Sequence, residues 1–206
     1  MTADKPVDSA SVSQTDLSLP HRERLLLAGD ALMVEYGNFD FGVREVVERA
    51  HVSLRTFYQY YETRDDFALA IYAEIVRQAA VAISRTMPTG PRSTKFRHFV
   101  HSLVCPSEWE RYRAIYRDQA VQRSRALVRE GFHLREARPD GYKLAIAPLR
   151  EVLAGILGSG AGDLGRNVTV VLNSLITETY DVIIDSLDEE AVADHLYRYH
   201  KRALGI

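Results

Sequence analysis

The sequence predicts an all-α fold: an N-terminal three-helix helix-turn-helix domain followed by a larger C-terminal helical domain. Three observations carry this. Apolar residues recur at three- and four-residue spacing through most of the 206-residue chain, the period of a helix with one buried face. Start and stop residues punctuate the pattern at the expected places. No stretch alternates in polarity as a strand would, and no internal repeat is present.

The first 19 residues, rich in Ser, Asp, Thr and Ala, are expected to form a disordered arm. Leu25, Leu26, Leu32, Met33 and Tyr36 make the first helix, which Gly37 ends at C′. Val43, Val46, Val47 and Ala50 give the second helix one apolar face. His51, Val52 and Ser53 form a tight turn, with Ser53 as N-cap of a third helix from Leu54 to about Tyr60. A helix that short is marginal alone, and its place after a three-residue turn marks a helix-turn-helix whose second helix enters a DNA major groove. Thr63 opens a fourth helix, with Asp66 as reciprocal cap partner. That helix runs through Phe67, Ala70, Ile71, Ile75 and Ala79 to the break between Thr86 and Pro91.

Further helices are expected over Arg92 to Val104, over a long stretch from the cap Ser107 to about Arg135, and from Pro139 to about Leu157. Two more, Val168 to Leu187 and Glu190 to Leu204, complete the set. The domains are therefore an arm at 1–19, a helix-turn-helix domain at 20–66 and a helical domain at 67–206.

The run Ala50, Val52, Ser53, Thr56, Phe57, Tyr58, Tyr60 and Tyr61, with Arg64 and Phe67 behind it, resembles the DNA-binding signature of the tetracycline-repressor (TetR) family. The resemblance covers about residues 20 to 75, with matched positions in order and without gaps. Four positions depart from the family pattern. His51 stands for the turn Gly, Gly42 for the capping Thr, Tyr61 for a buried Phe and Arg64 for a Lys. Gly42 lacks a hydroxyl that could touch phosphate but keeps its backbone amide. His51 strains the backbone if its φ is positive. The resemblance implies a homodimeric, ligand-responsive transcriptional regulator, expected to be a repressor released from a palindromic double-stranded DNA operator by a small apolar or acyl-type effector. The alternative is a DNA-binding regulator without such a ligand, acting through protein partners.

Charge placement refines the DNA-binding residues. Residues 20 to 65 hold six Arg against eight acids, so bulk electrostatics do not favour DNA and a few placed groups must do so. Arg55 is the candidate for a bidentate contact to guanine, worth ~1–3 kcal/mol of discrimination. Gln59, one turn on, is placed to read adenine. The resemblance places Arg44 and Arg64 on phosphates, where family members meet them; Thr56, Tyr58 and Tyr60 offer hydroxyls for the same purpose, with Gly42, Ser53 and Leu54 at the helix starts. Phosphate contacts supply affinity and its salt dependence.

Residues 85 to 138 hold twelve Lys or Arg against five acids. Trp109, Tyr112 and Tyr116 share an apolar arc of the long helix, and Arg123 falls within it, near Gln119 and Glu130. A cation on an apolar face must be paired or bound to something. In one reading, Arg123 and Gln119 orient a ligand lying on Trp109, Tyr112 and Tyr116, with Asn173 and Thr177 bordering the pocket. In the other, Arg123 pairs with Glu130, or drift of the helix phase exposes both.

Two apolar C-terminal stripes suggest a four-helix dimer interface. Leu172, Leu175, Ile176, Thr179, Val182 and Ile183 form one; Val192, His195, Leu196 and Tyr199 line the other.

The remaining patterns are weak. Gly160, Gly162 and Gly165 match a dinucleotide fingerprint, but a helix precedes them where a strand is required, so an interhelical loop is expected. His98, His101 and Cys105 share a face, yet lack a fourth metal ligand, and are read as surface or pocket-lining groups. No motif asks for catalysis or a cofactor. No apolar run approaches the ~20 residues of a membrane helix, and a lone Cys105 fits a reducing cytoplasm.

Overall fold

The computed structural model describes residues 17–105, 126, 129–131, 133–158, 164–184 and 188–206, with backbone alone at 164–166 and 179–184. Among these residues all regular structure is helical: α1 (His21–Tyr36), α2 (Val43–Arg49), α3 (Leu54–Tyr60), α4 (Arg64–Arg85) and α5 (Arg92–Val104). The described residues 126, 129–131 and 133–137 are helical and are labelled α6. Then come α7 (Pro139–Ala145), α8 (Ala147–Leu157), α9 (Leu164–Ile184) and α10 (Glu189–Leu204).

The helix ends follow local chemistry. Gly37 ends α1 at φ 66°, in the left-handed region, where a side chain is disfavoured. Ser53 caps α3, its hydroxyl accepting from the Thr56 amide at 3.0 Å. Thr63 and Asp66 cap α4 reciprocally, at 3.1 and 3.0 Å. Asp188 opens α10 by accepting from the Glu190 and Ala191 amides.

Two expectations need correction. The helix expected from Pro139 to Leu157 is two helices, α7 and α8, joined at Ile146. Pro148 has no N–H to offer the Leu144 carbonyl, and proline is at home in the first turn of a new helix. The glycine stretch is not wholly a loop: α9 begins at Leu164 and takes in Gly165.

The first three helices pack against one another, and α1 also packs on α4. Their shared core is aromatic. Phe57 lies 5.4 Å from Tyr61 and 5.2 Å from Phe67, ring centre to ring centre, and Tyr61 lies 5.0 Å from Phe67. The Phe57–Phe67 and Tyr61–Phe67 pairs are edge-on, a geometry that adds to the burial of the rings themselves. Gly29 lets α1 approach α4 closely, since a Cβ there would meet Phe67 and Ile71 at 2.6 and 2.5 Å. In the C-terminal domain α4 runs past α7 and α8, while α5 is enclosed by α8, α9 and α10. Contrary to the sequence expectation, α4 is long and apolar enough to cross a bilayer by length and composition, though Phe67, Ile71, Ile75 and Ile83 are buried against its neighbours.

Candidate nucleic-acid interface

Helix α3 is anchored from below and open above. Phe57 has no exposed surface, which fixes the rotation of α3 about its axis. With that side inward, Arg55 and Gln59 are exposed on the opposite side. Tyr58 and Tyr60 keep 56% and 46% of their surface and Leu54 keeps 41%, so large side chains face solvent where packing alone would have buried them. Thr56 is partly buried, and its hydroxyl lies 2.9 Å from that of Ser53. Part of its hydrogen-bonding capacity is therefore used in the cap. Arg44 is exposed in the first turn of α2.

The four departures from the family pattern resolve differently. The Gly42 amide is not open to phosphate: it donates to Glu45 at 2.7 Å. Glycine has no side chain to return the bond, so half of the reciprocal cap exists. Glu45 also accepts from the Tyr36 hydroxyl at 2.6 Å. The Tyr36 and Gly42 bonds hold the Glu45 carboxyl below the usual range, and the same Glu45 contact raises Tyr36.

His51 has φ 51°. Its amide bonds Glu48 O at 3.2 Å, and the Val52 amide bonds Val47 O at 3.0 Å. These two bonds form the left-handed end motif in which glycine is usual, and a side chain there costs about 1–2 kcal/mol.

Tyr61 is 5% exposed, and its hydroxyl finds no hydrogen-bond partner among the described residues. Burial pushes its pKa up. Arg64 opens α4 as expected, but it is partly buried and its Nε donates to the Phe41 carbonyl at 3.4 Å. It thereby ties α4 to the segment before α2.

Arg24 was missed by sequence reasoning. It is 7% exposed, and its Nη1 donates to the His51 carbonyl at 3.3 Å. Its position shares a helical face with Leu25, Ala28 and Leu32, a placement that marks a cation on an apolar arc.

Behind α1–α3, α4 meets α6 in a charged seam. Arg138 donates to Asp66 and, at 3.3 Å, to the Thr63 hydroxyl. His133 lies 3.9 Å from Asp65. Glu130 is buried, and its Oε1 is without a hydrogen-bond partner among the described residues. Burial raises its pKa, against the lowering pull of Arg64 and His133. The basic surplus of residues 85 to 138 is thus partly structural, since Arg138 serves Asp66 and Arg97 pairs with Asp194 at 3.0 Å.

Of the expected ligand-contacting residues, Trp109, Tyr112, Tyr116, Gln119 and Arg123 lie outside the described residues, while Asn173 and Thr177 are partly buried on α9. Among the described residues, an open groove of about 490 Å³ lies between α1 and α4, floored by Leu26, Ile71 and Ile75. The expected dimer stripes divide. Leu172, Leu175 and Leu196 are buried within the chain itself. Ile176 and Val192 are partly exposed, His195 is exposed and Tyr199 keeps 63% of its surface. The side chains of Thr179, Val182 and Ile183 lie outside the described set.

His98 and His101 do not converge with Cys105. His98 bonds Thr86 at 3.0 Å, His101 bonds Asp194 at 3.0 Å, and no cluster of three metal-ligating side chains occurs among the described residues.

Comparison by sequence finds no matching family model and no matching curated protein. Comparison by structure finds transcriptional regulators. A TetR transcriptional regulator from Rhodococcus sp. RHA1 superposes with a TM-score of 0.67 at 16% identity, covering 89% of this chain and 96% of that one. The regulator FadR from Bacillus subtilis, solved with stearoyl-CoA, gives 0.61 at 12% identity over 86% and 96%. RolR with its ligand resorcinol gives 0.55 at 19% identity over 90% and 88%. The chain therefore has the fold of the TetR-family transcriptional regulators, the family that its helix-turn-helix residues resemble.

Proposed function

We propose that this protein is a homodimeric DNA-binding transcriptional repressor that reads a quasi-palindromic operator with α3 and is released by a small effector. The observation that carries this reading is the exposed side of α3: Arg55, Tyr58 and Gln59 stand free above a Phe57 that is fully enclosed. A helix of seven residues held in this way has few uses other than presenting its outer side chains to a groove. Arg55 reads guanine and Gln59 adenine, while Arg44, Tyr58 and Tyr60 meet phosphates. Arg64 reaches phosphate only if it leaves the Phe41 carbonyl.

The dimer forms through α9 and α10, with Ile176, Val192, His195 and Tyr199 as the exposed part of the surface. The two recognition helices then sit about one turn of DNA apart, ~34–36 Å, or a multiple of it. The effector binds in the C-terminal domain against Trp109, Tyr112, Tyr116, Gln119 and Arg123, with Asn173 and Thr177 beside them. Its class is aromatic or acyl, in keeping with the resorcinol and stearoyl-CoA bound by two proteins of the same fold. It acts only through differential affinity for the DNA-bound and released states.

The test is binding to a selected site followed by fluorescence anisotropy. Arg55→Ala is expected to relax preference at one base pair per half-site. Unchanged preferences would remove Arg55 from the reading role.

A further inference from the structure

The turn of the helix-turn-helix holds a residue in a conformation that its side chain disfavours, and a buried cation lies against it. His51 sits at φ 51°, and two backbone bonds from His51 and Val52 to the end of α2 define the turn. Arg24, from α1 and 27 residues earlier in the chain, donates from Nη1 to the His51 carbonyl at 3.3 Å. Its side chain is almost wholly enclosed, and its Nε has no hydrogen-bond partner among the described residues. A buried guanidinium with few partners is expensive to keep. Here its one described bond goes to the carbonyl that directs the chain into the cap of α3: Ser53 follows two residues later and accepts from the Thr56 amide.

We propose that Arg24 is a positioning residue for DNA reading: by holding the His51 carbonyl it fixes a glycine-type turn without glycine, and so sets the angle of α3. The proposal rests on α3 being the reading helix. Arg24 is too enclosed to meet phosphate, so it acts through the turn. A 3.3 Å bond to a backbone carbonyl beside a strained residue constrains the peptide plane, and with it the direction in which Arg55 and Gln59 project.

The experiment uses the full chain and a DNA site selected by the unaltered protein. Arg24→Met keeps the apolar stem and removes the donor. Affinity is expected to fall about ten-fold with the slope of log K against log salt unchanged, whereas loss of a phosphate contact would lower that slope by about 1. In a His51→Gly background the same change is expected to cost no more than about two-fold, because glycine takes a positive φ freely. The Val52 amide should exchange about ten-fold faster in Arg24→Met, with the amides of α9 and α10 unaffected. Arg24→Gln, polar but too short to reach the carbonyl, should repeat the result and stands in if Arg24→Met does not fold. Equal losses in both backgrounds, or unaltered exchange at Val52, would overturn the proposal. An unaltered protein that selects no DNA refutes the functional reading and this proposal with it; undiminished binding by Arg24→Met refutes this proposal alone.

Discussion

Gly29 and Gly155 offer the same substitution with opposite expected outcomes. A Cβ at Gly29 would lie 2.5 Å from Ile71 Cδ1, 2.6 Å from Phe67 Cζ and 2.9 Å from Phe67 Cε1. Carbon atoms prefer about 3.5–4.0 Å, so the contacts are short by roughly 1 Å. Ile71 Cδ1 is the end of a flexible side chain and can swing away. Phe67 cannot, because Phe57 and Tyr61 close on it at 5.2 and 5.0 Å. In Gly29→Ala, α1 must retreat from α4, an overpacking that costs about 1–3 kcal/mol, offset by up to ~1 kcal/mol of helix propensity. The net expectation is a loss of about 0–2 kcal/mol. At Gly155 the added Cβ meets nothing within 4 Å, so Gly155→Ala should gain about 0.5–1 kcal/mol from propensity alone. Urea midpoints measured at one protein concentration, with m unchanged, give both values. The two variants should differ by about 1–3 kcal/mol. A difference below ~0.5 kcal/mol would refute the claim that Gly29 is required by close approach.

Other perturbations test the caps, the core and the seam. Ser53→Ala removes the cap of α3 and should cost about 1 kcal/mol, read by urea melting, together with weaker DNA binding; unaltered melting would remove the cap from the account. Tyr61→Phe deletes a buried hydroxyl without a described partner, so it should leave stability unchanged or raise it by up to ~1 kcal/mol; a clear loss would reveal a bond to that hydroxyl. Glu130 has its pKa raised by burial. Stability tied to its protonated form is present below the unfolded carboxyl pKa of 4.5 and is lost as pH rises through the higher folded value. Glu130→Gln should therefore raise Tm at neutral pH and change little below pH ~4, while equal effects at both would place the role of Glu130 elsewhere.

The legible parts of the fold are those where one residue type meets one backbone requirement. Ser53, Thr63 with Asp66, and Gly37 each announce a helix end by their own chemistry, so α1, α3 and α4 begin or end where the sequence predicts. Pro148 was harder to read, because the apolar period runs on through it and only the loss of one amide splits α7 from α8. Phe57 sits opposite Arg55 and Gln59 on α3, and its enclosure by Tyr61 and Phe67 is a matter of packing that the residue order alone does not state. The occupied amide of Gly42 was not legible either, because it depends on Glu45 turning back to it while also receiving Tyr36 from another helix. The inward course of Arg24 is legible only from its place on the apolar arc, and its target, the His51 carbonyl, becomes apparent only when α1 is folded against the turn. Apolar spacing marks Leu172, Leu175 and Leu196 as buried, and here this chain itself covers them; spacing alone does not say whether one chain or a second copy does so.

The central claim is that two copies of α3 read a DNA site of two-fold symmetry. Selection of bound duplexes from a random pool, with the full chain at near-physiological salt, tests it most directly. Enrichment of inverted half-sites is expected, with centres one helical turn apart, ~34–36 Å, or a multiple of it, and with Arg55→Ala relaxing one position in each half. A pool that shows no enriched sequence, or enriches a single asymmetric site that Arg55→Ala leaves unaltered, would contradict it.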